Sequence, residues 1–347
     1  MGLLRRNDER AAQLDARAAQ LDERAERLAA AERRMRPIDP AQHEIPGYPN
    51  EVGPVTKELY DRLSEDDVAE VRSRLEGVPA EAWAGADEVG RAYLTLHFGV
   101  HYSVPAVLEK TGLTADAPPE AVHAMARGPM AAGGDPALAD LVVGALARAG
   151  RELPAEVLDF GCSSGRVLRV LTAVRPDVRW HGCDPNAPAV RWAAEHVPGA
   201  SFQESPLRPP LDRPTASLDL VYAISIWSHF DASPALAWLS EMYRLLRPGG
   251  LLLLSAHGLA ALARHVSRHA LAPDDGARCA EALQRSGFWF APTFGEAGDA
   301  GVRDAEWGSA YLTPEWLVAR MLPRWSLLLY EPGRLEGTQD VYLFERR

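Results

Sequence analysis

The residues best placed to do chemistry cluster in one stretch. Val157-Leu158-Asp159-Phe160-Gly161-Cys162-Ser163-Ser164-Gly165-Arg166 is a short apolar run that breaks into a glycine turn. Gly161 and Gly165 let a backbone turn tightly and approach a ligand with no side chain between. The next apolar run ends in Cys183-Asp184-Pro185, with Asp184 lying 23 residues after Gly161. A carboxylate at that place accepts hydrogen bonds from both hydroxyls of a ribose. Two histidines follow later apolar runs: His229 in Ile226-Trp227-Ser228-His229-Phe230, and His257 in Leu254-Ser255-Ala256-His257-Gly258. Histidine exchanges protons near neutral pH, so either is a candidate general base for an oxygen nucleophile.

Elements must position these groups. Glu156–Phe160 reads as a strand, Arg166–Val174 as a helix, Val178–Cys183 as a strand and Ala187–His196 as a helix. Ser217–Ile226 contains a further strand, Ser233–Leu246 is a helix, and Leu251–Ala256 is another apolar strand. Alternating strands and helices predict a parallel sheet covered on both faces, doubly wound by right-handed crossovers. Ligands then sit at the carboxyl ends of the strands, where the glycine turn, Asp184 and both histidines fall. Trp325–Tyr330 and Asp340–Glu345 are two final strands whose seven-residue-scale connector, Glu331 to Gly337, is too short for a helical crossover, so they run antiparallel to each other.

At this point the sequence resembles the Rossmann-like class I methyltransferases that use S-adenosylmethionine. The resemblance covers about residues 155–257 and the terminal strands. Asp159-x-Gly161-x-Ser163-x-Gly165 resembles the family's acidic-x-Gly-x-Gly-x-Gly signature, with Ser163 in place of the middle glycine. Asp184 resembles its ribose-binding acid. Asp219-Leu220-Val221-Tyr222-Ala223-Ile224-Ser225 looks like the fourth strand, and Leu245-Leu246-Arg247-Pro248-Gly249-Gly250 like the turn before the fifth. Gln339-Asp340-Val341-Tyr342 resembles the closing strand of one bacterial subgroup. The resemblance implies a seven-stranded, mostly parallel α/β sheet with an antiparallel final strand, and S-adenosylmethionine as cofactor. It implies that Gly161, Ser163 and Gly165 approach the methionyl part, that Asp159 orients the loop or meets the amine, and that Asp184, beside Pro185, holds the ribose. The carbonyls of Ala223 or Ser225 also face the amine. After the third strand the family often has an aspartate for the adenine; Phe202-Gln203-Glu204-Ser205-Pro206 offers Glu204 or Ser205 instead.

The remaining chain frames this site. Residues 8–36 repeat Leu14, Leu21, Leu28 and Met35 every seven positions, with Ala11, Ala18 and Ala25 beside them, a coiled-coil seam that Pro37 ends. Residues 1–36 therefore read as a coiled-coil arm for homodimerisation or docking, 37–150 as a helical cap region, and 151–347 as the cofactor-binding domain. Segment 258–324 is a long insertion expected to act as a substrate lid. Tyr311 or Glu306 in that insertion, Trp227 after the fourth strand and Tyr102 in the cap are the candidate acceptor contacts. His97/His101 and His265/His269 have helical spacing but no third ligand, so no metal is expected.

Composition bounds the partners. A net charge of −11 argues against a broad nucleic-acid surface. No apolar run is long enough to span a membrane and the N-terminus carries charge, so neither a membrane partner nor a secretory signal is expected. Cys162, Cys183 and Cys279 form neither a disulfide pattern nor a zinc spacing, and a cytoplasmic setting is the default. The expected acceptor is a hydroxyl on a small molecule or glycan. Competing readings are a non-catalytic scaffold that keeps the fold, and a serine hydrolase. The latter rests on Gly161-Cys162-Ser163-Ser164-Gly165 matching G-x-S-x-G, with Asp219 and His257 following in order. A nicotinamide dehydrogenase is disfavoured because the G-x-G-x-x-G spacing is missing.

Overall fold

In the computed structural model the described residues are 49–116, 118–119, 122, 134–294 and 304–347. The heptad segment, and with it the coiled-coil expectation, lies outside them.

Six helices of the cap region are described: α1 (Pro54–Asp61), α2 (Glu65–Ser73), α3 (Gly77–Gly85), α4 (Glu88–His101), α5 (Pro105–Thr111) and α6 (Pro136–Arg148). Short polar residues start several of them. Ser64 and Asp67 form a reciprocal capping box on α2, and Asp87 and Asp135 cap α4 and α6 through the amides of Gly90 and Leu138. Buried Asp140 on α6 ties the helices together. Its Oδ1 accepts from the amides of Val55 (2.6 Å) and Thr56 (3.1 Å), and its Oδ2 from Thr56 Oγ1 (2.6 Å) and Tyr93 Oη (2.7 Å).

The sheet follows. Its strands are β1 (Glu156–Phe160), β2 (Arg179–Asp184), β3 (Ala200–Glu204), β4 (Leu218–Ala223), β5 (Leu246–His257), β6 (Phe288–Ala291), β7 (Ser309–Leu312), β8 (Trp325–Leu335) and β9 (Gln339–Arg346). The main sheet runs β3-β2-β1-β4-β5-β9-β8, with β9 antiparallel to both neighbours and the first five strands parallel. This is the expected doubly wound, seven-stranded α/β sheet with an antiparallel final strand. The β6–β7 hairpin is an addition from the insertion, joined to β5 where Tyr311 pairs with His257.

Side chains alternate across each strand, so two cores form. Val157, Leu220, Tyr222, Leu253 and Leu343 face α1, α4 and α6, so the cap region packs directly on one face of the sheet. Leu158, Val221, Leu252, Leu254 and Phe344 face α9 (Ala232–Leu245) and α12 (Pro314–Met321). The insertion's α10 (Leu259–Ser267) and α11 (Pro273–Ser286) share a smaller core through Ala261, Leu262, Cys279 and Leu283.

Three boundaries differ from expectation by more than one residue. The helix after the glycine turn, α7, is Leu168–Val174, because residues 163–167 remain in turns. β5 begins at Leu246, so the Arg-Pro-Gly-Gly turn is an irregular part of the strand, with a register shift opposite Leu218 and Leu220. β8 continues through Pro332 and Gly333 to Leu335. A bulge absorbs both residues, and Asp340 Oδ1 takes the Gly333 amide (2.8 Å). Among the described residues no helix is long and apolar enough to cross a membrane.

Candidate active site

The turn after β1 is built from left-handed residues. Gly161 (φ 85°), Ser163 (φ 48°) and Gly165 (φ 78°) take conformations that side chains disfavour. The turn is laced to β2, since the amides of Gly161 (2.8 Å) and Cys162 (3.1 Å) both donate to the carbonyl of Cys183. A side chain at Gly161 would place its Cβ 2.1 Å from Ile226 Cδ1. Glycine there makes room for the β4 loop rather than for a ligand alone.

Asp184 closes the turn from the other side. Its Oδ2 accepts from the Ser163 amide (2.8 Å) and its Oδ1 from the Asn186 amide (2.8 Å), at the start of α8 (Ala187–His196). Each oxygen keeps spare lone-pair capacity. Burial pushes the Asp184 carboxyl above its ordinary range despite those two donors. Asp159 is 4 % exposed. Burial raises its pKa to about 8, and the charge of Asp184 adds to the rise. The Tyr222 hydroxyl, on the residue paired with Asp159 across β1 and β4, pulls the other way, as does Arg166. Ser163 Oγ is buried without a hydrogen-bond partner among the described residues.

The β4 loop is fixed by a closed set of three side chains. The Ser225 amide donates to Ser255 Oγ (2.8 Å), Ser255 Oγ donates to Gln339 Oε1 (2.7 Å), and Gln339 Nε2 donates to Ser225 Oγ (2.8 Å). Ser225 is itself left-handed (φ 61°). Gln339, singled out only as part of a closing strand, thus anchors a loop on the site.

These loops enclose a cavity of about 270 Å³ at the carboxyl edge of the sheet. Asp159, Gly161, Ser163, Asp184, Pro185, Ser205 and Ser225 line it together. Gly165 does not: its missing Cβ faces Val197 and Phe202 instead. Glu204 is exposed at the end of β3, and Ala223 is buried within β4, so neither reaches the cavity wall.

The opposite wall comes from the insertion. A strap at residues 304–310 runs antiparallel to residues 228–231. It is held by Asp231 N–Glu306 O (3.0 Å), Gly308 N–His229 O (2.8 Å), Ala310 N–Ser228 O (2.8 Å) and a Phe230–Trp307 bridge. Arg208, after β3, clasps the strap through both Asp304 oxygens (2.5 and 3.1 Å) and through Glu306. Asp304, Glu306, Trp307 and Arg208 all face the cavity. Of the two acceptor candidates in the insertion, Glu306 is on the wall and Tyr311 is not.

His229 and His257 stand behind that wall. His229 Nδ1 lies 2.7 Å from the carbonyl of Gly308, and its ring packs on Trp307 (centroids 4.9 Å) and near His257 (6.2 Å). His257 Nδ1 is 3.2 Å from the Ala310 carbonyl. Burial, reinforced by His229 and His265, holds the His257 pKa down to about 3. Tyr311 is buried against His265 Nδ1 (2.6 Å), and Trp227 is fully buried between Phe160 and Phe230. Tyr102 caps α4 and packs on Phe98 and His101, away from the cavity.

Sequence reasoning did not find Arg208, Asp304 or Glu336, which complete the wall. Arg208 and Asp304 lie far apart in the chain and have meaning only as a pair. Glu336, at the β8–β9 turn, left a faint signal: it occupies a left-handed turn position (φ 55°) where glycine or asparagine is usual.

The hydrolase triad is not assembled. Asp219 sits at the amino end of β4, where it accepts from the Glu156 amide (3.1 Å) and pairs with Arg247. Ser163 is at the opposite edge of the sheet, with its hydroxyl unpaired among the described residues.

Residues 157–250 match a family described as methyltransferase domain. The chain is 33 % identical over 107 residues to trans-aconitate 2-methyltransferase of Azoarcus sp. (strain BH72), a match covering 31 % of this chain and 41 % of that protein. It thus spans less than half the length of that curated relative. Among solved structures, similarity extends to a magnesium protoporphyrin IX methyltransferase from Synechocystis PCC 6803 with bound SAH (17 % identity, 60 % of this chain and 82 % of that one, TM-score 0.41). A second is a SAM-dependent methyltransferase from Methanosarcina mazei (19 % identity, 56 % and 94 %, TM-score 0.41). The domain match, the Asp159–Gly165 turn and Asp184 agree: residues 157–250 carry a methyltransferase domain of the kind that uses S-adenosylmethionine.

Proposed function

We propose that this protein transfers a methyl group from S-adenosylmethionine to a hydroxyl of a small molecule or glycan. The observation that carries the reading is the convergence of Asp159, the left-handed turn, Asp184 and Ser225 on one cavity. The residues fit the cofactor. Asp184 has lone pairs to spare for ribose hydroxyls, Ser163 Oγ is a buried hydroxyl in want of a partner, and Asp159 offers a carboxylate to an ammonium group. When bound, S-adenosylmethionine supplies a methyl group activated by its sulfonium.

The protein's own part is positioning and proton handling. The strap and the Arg208 clasp close one wall against water. A hydroxyl acceptor needs a group to take its proton, and the two histidines are outside the cavity. Glu336 is on the wall and makes no ion pair among the described residues. Its side chain is exposed at the cavity rim, and desolvation there together with the nearby charge of Asp135 raises its pKa, which suits a general base. We therefore assign that role to Glu336, and to His229 the holding of the strap through Gly308. In this reading residues 151–347 form the catalytic domain, 37–150 its cap and 258–324 its acceptor lid. The heptad arm 1–36 serves self-association, which the solution mass of a chain lacking it would check.

The test is transfer of tritium from methyl-labelled S-adenosylmethionine into fractionated small molecules and glycans. Label stable to mild base in an ether is expected, and Asp184→Ala should abolish it. Base-labile label would mean a carboxylate acceptor, as the name of the Azoarcus relative suggests for that protein, and would overturn the hydroxyl assignment. Cofactor binding with no transfer would favour a scaffold.

A further inference from the structure

We propose that the strap carboxylates Asp304 and Glu306, clasped by Arg208, recognise the 6-amino edge of the adenine, so that the insertion, not the loop after β3, supplies base recognition. This rests on the methyl-donor reading above. The cavity has a direction. Asp184 at the end of β2 marks the ribose, while Asp159 and Ser225 on β1 and after β4 mark the amino-acid end. The base therefore extends past β2 to the β3 side, where the wall is Ser205 to Arg208 and the strap.

The loop after β3 is poorly equipped there. The Ser205 amide is already given to the Asp184 carbonyl (3.0 Å), Pro206 has no amide hydrogen, Leu207 is apolar, and Glu204 is off the wall. Asp304 and Glu306 are the carboxylates lining that end among the described residues. Two carboxylates share one guanidinium, so the cluster keeps a net negative charge. The donors that they receive are the Arg208 nitrogens and, at Asp304 Oδ1, the Glu306 amide (2.9 Å). Four oxygens accept more hydrogen bonds than these supply. An exocyclic amine would fill the remainder, whereas a carbonyl at the same position would meet negative charge. Trp307 and Phe230 provide flat apolar surface beside the cluster.

Calorimetric titration of the full chain with S-adenosylhomocysteine and with its 6-deamino analogue, in which a hydrogen replaces the purine amino group, tests this. The wild type should bind the adenine compound about 10- to 100-fold more tightly, the range expected for a hydrogen bond to a charged group. Glu306→Gln and Asp304→Asn should each shrink the ratio, and the double variant should bring it to about unity. Glu306→Gln leaves the Arg208–Asp304 pair and the strap's backbone bonds in place, and unchanged thermal unfolding would show that the wall persists. Equal binding of the two ligands by the wild type, or an unaltered ratio in folded variants, would overturn the inference while leaving the donor site intact. No binding of S-adenosylhomocysteine at all would overturn the donor reading itself.

Discussion

With Asp159 set against the amine of the methyl donor, as proposed, cofactor binding should depend on pH in a calculable way. Burial, with Asp184 close by, raises its pKa to about 8 in the free protein. At pH 7 the carboxyl is then about nine-tenths protonated by simple mass action. An ammonium group placed against it favours the ionised form and returns the pKa toward the ordinary range. Binding at pH 7 should therefore release about 0.9 proton from Asp159, falling to about 0.5 at pH 8. Affinity should rise nearly tenfold between pH 6 and pH 7 and flatten above 8. The stability of the free protein should move the other way. The folded state holds this proton where the unfolded chain has lost it, so the Asp159 contribution falls as pH rises from the ordinary carboxylate range through about 8. Titration with S-adenosylhomocysteine in buffers of different ionisation heat counts the protons. Asp184 and Glu336 also have raised pKa values, so the quantity that matters is the difference between wild type and Asp159→Asn. A difference near zero at pH 7 would refute the assignment of Asp159 to the amine.

Ser163→Gly should relieve the left-handed strain and leave stability unchanged or raised by up to about 1 kcal/mol, yet weaken S-adenosylhomocysteine binding several-fold. Affinity and melting temperature moving together would mean that the hydroxyl is merely structural. Glu336→Gln should keep cofactor affinity and lower kcat by roughly 10²-fold, removing the acid limb of the pH–rate profile; a full-rate variant would remove Glu336 from catalysis. His229→Ala loses a hydrogen bond to the Gly308 carbonyl and packing on Trp307, and should destabilise by about 1–2 kcal/mol while altering KM more than kcat. A fall in kcat alone, with normal stability, would restore His229 as a base.

The sequence exposes the groups that sit close together along the chain. The strand, left-handed turn and strand-end acid fall within 157–184, each type dictated by local backbone needs, and the structure brings Asp159, Gly161, Ser163 and Asp184 onto one cavity. Alternation of apolar strands with amphipathic helices likewise sets the parallel sheet before any contact is known. What stays hidden is pairing over long separations. Arg208 and Asp304 read as ordinary surface charges until the insertion folds back along residues 228–231. The histidines illustrate the converse. His229 and His257 end strands on the correct edge, so sequence logic aims them at the ligand. The strap comes between, with Trp307 on the cavity wall and His229 against its ring. Gly165 has the expected left-handed backbone, but packing against Val197 and Phe202 claims its open side.

The cavity between Asp184, the Gly161–Gly165 turn and the strap is assigned here to S-adenosylmethionine. Calorimetry of the purified full chain with that compound is the most direct test. One site per chain with micromolar affinity is expected, lost when Asp184 is replaced by alanine while the protein stays folded. Absence of binding at millimolar concentration, or unchanged affinity in Asp184→Ala, would contradict it.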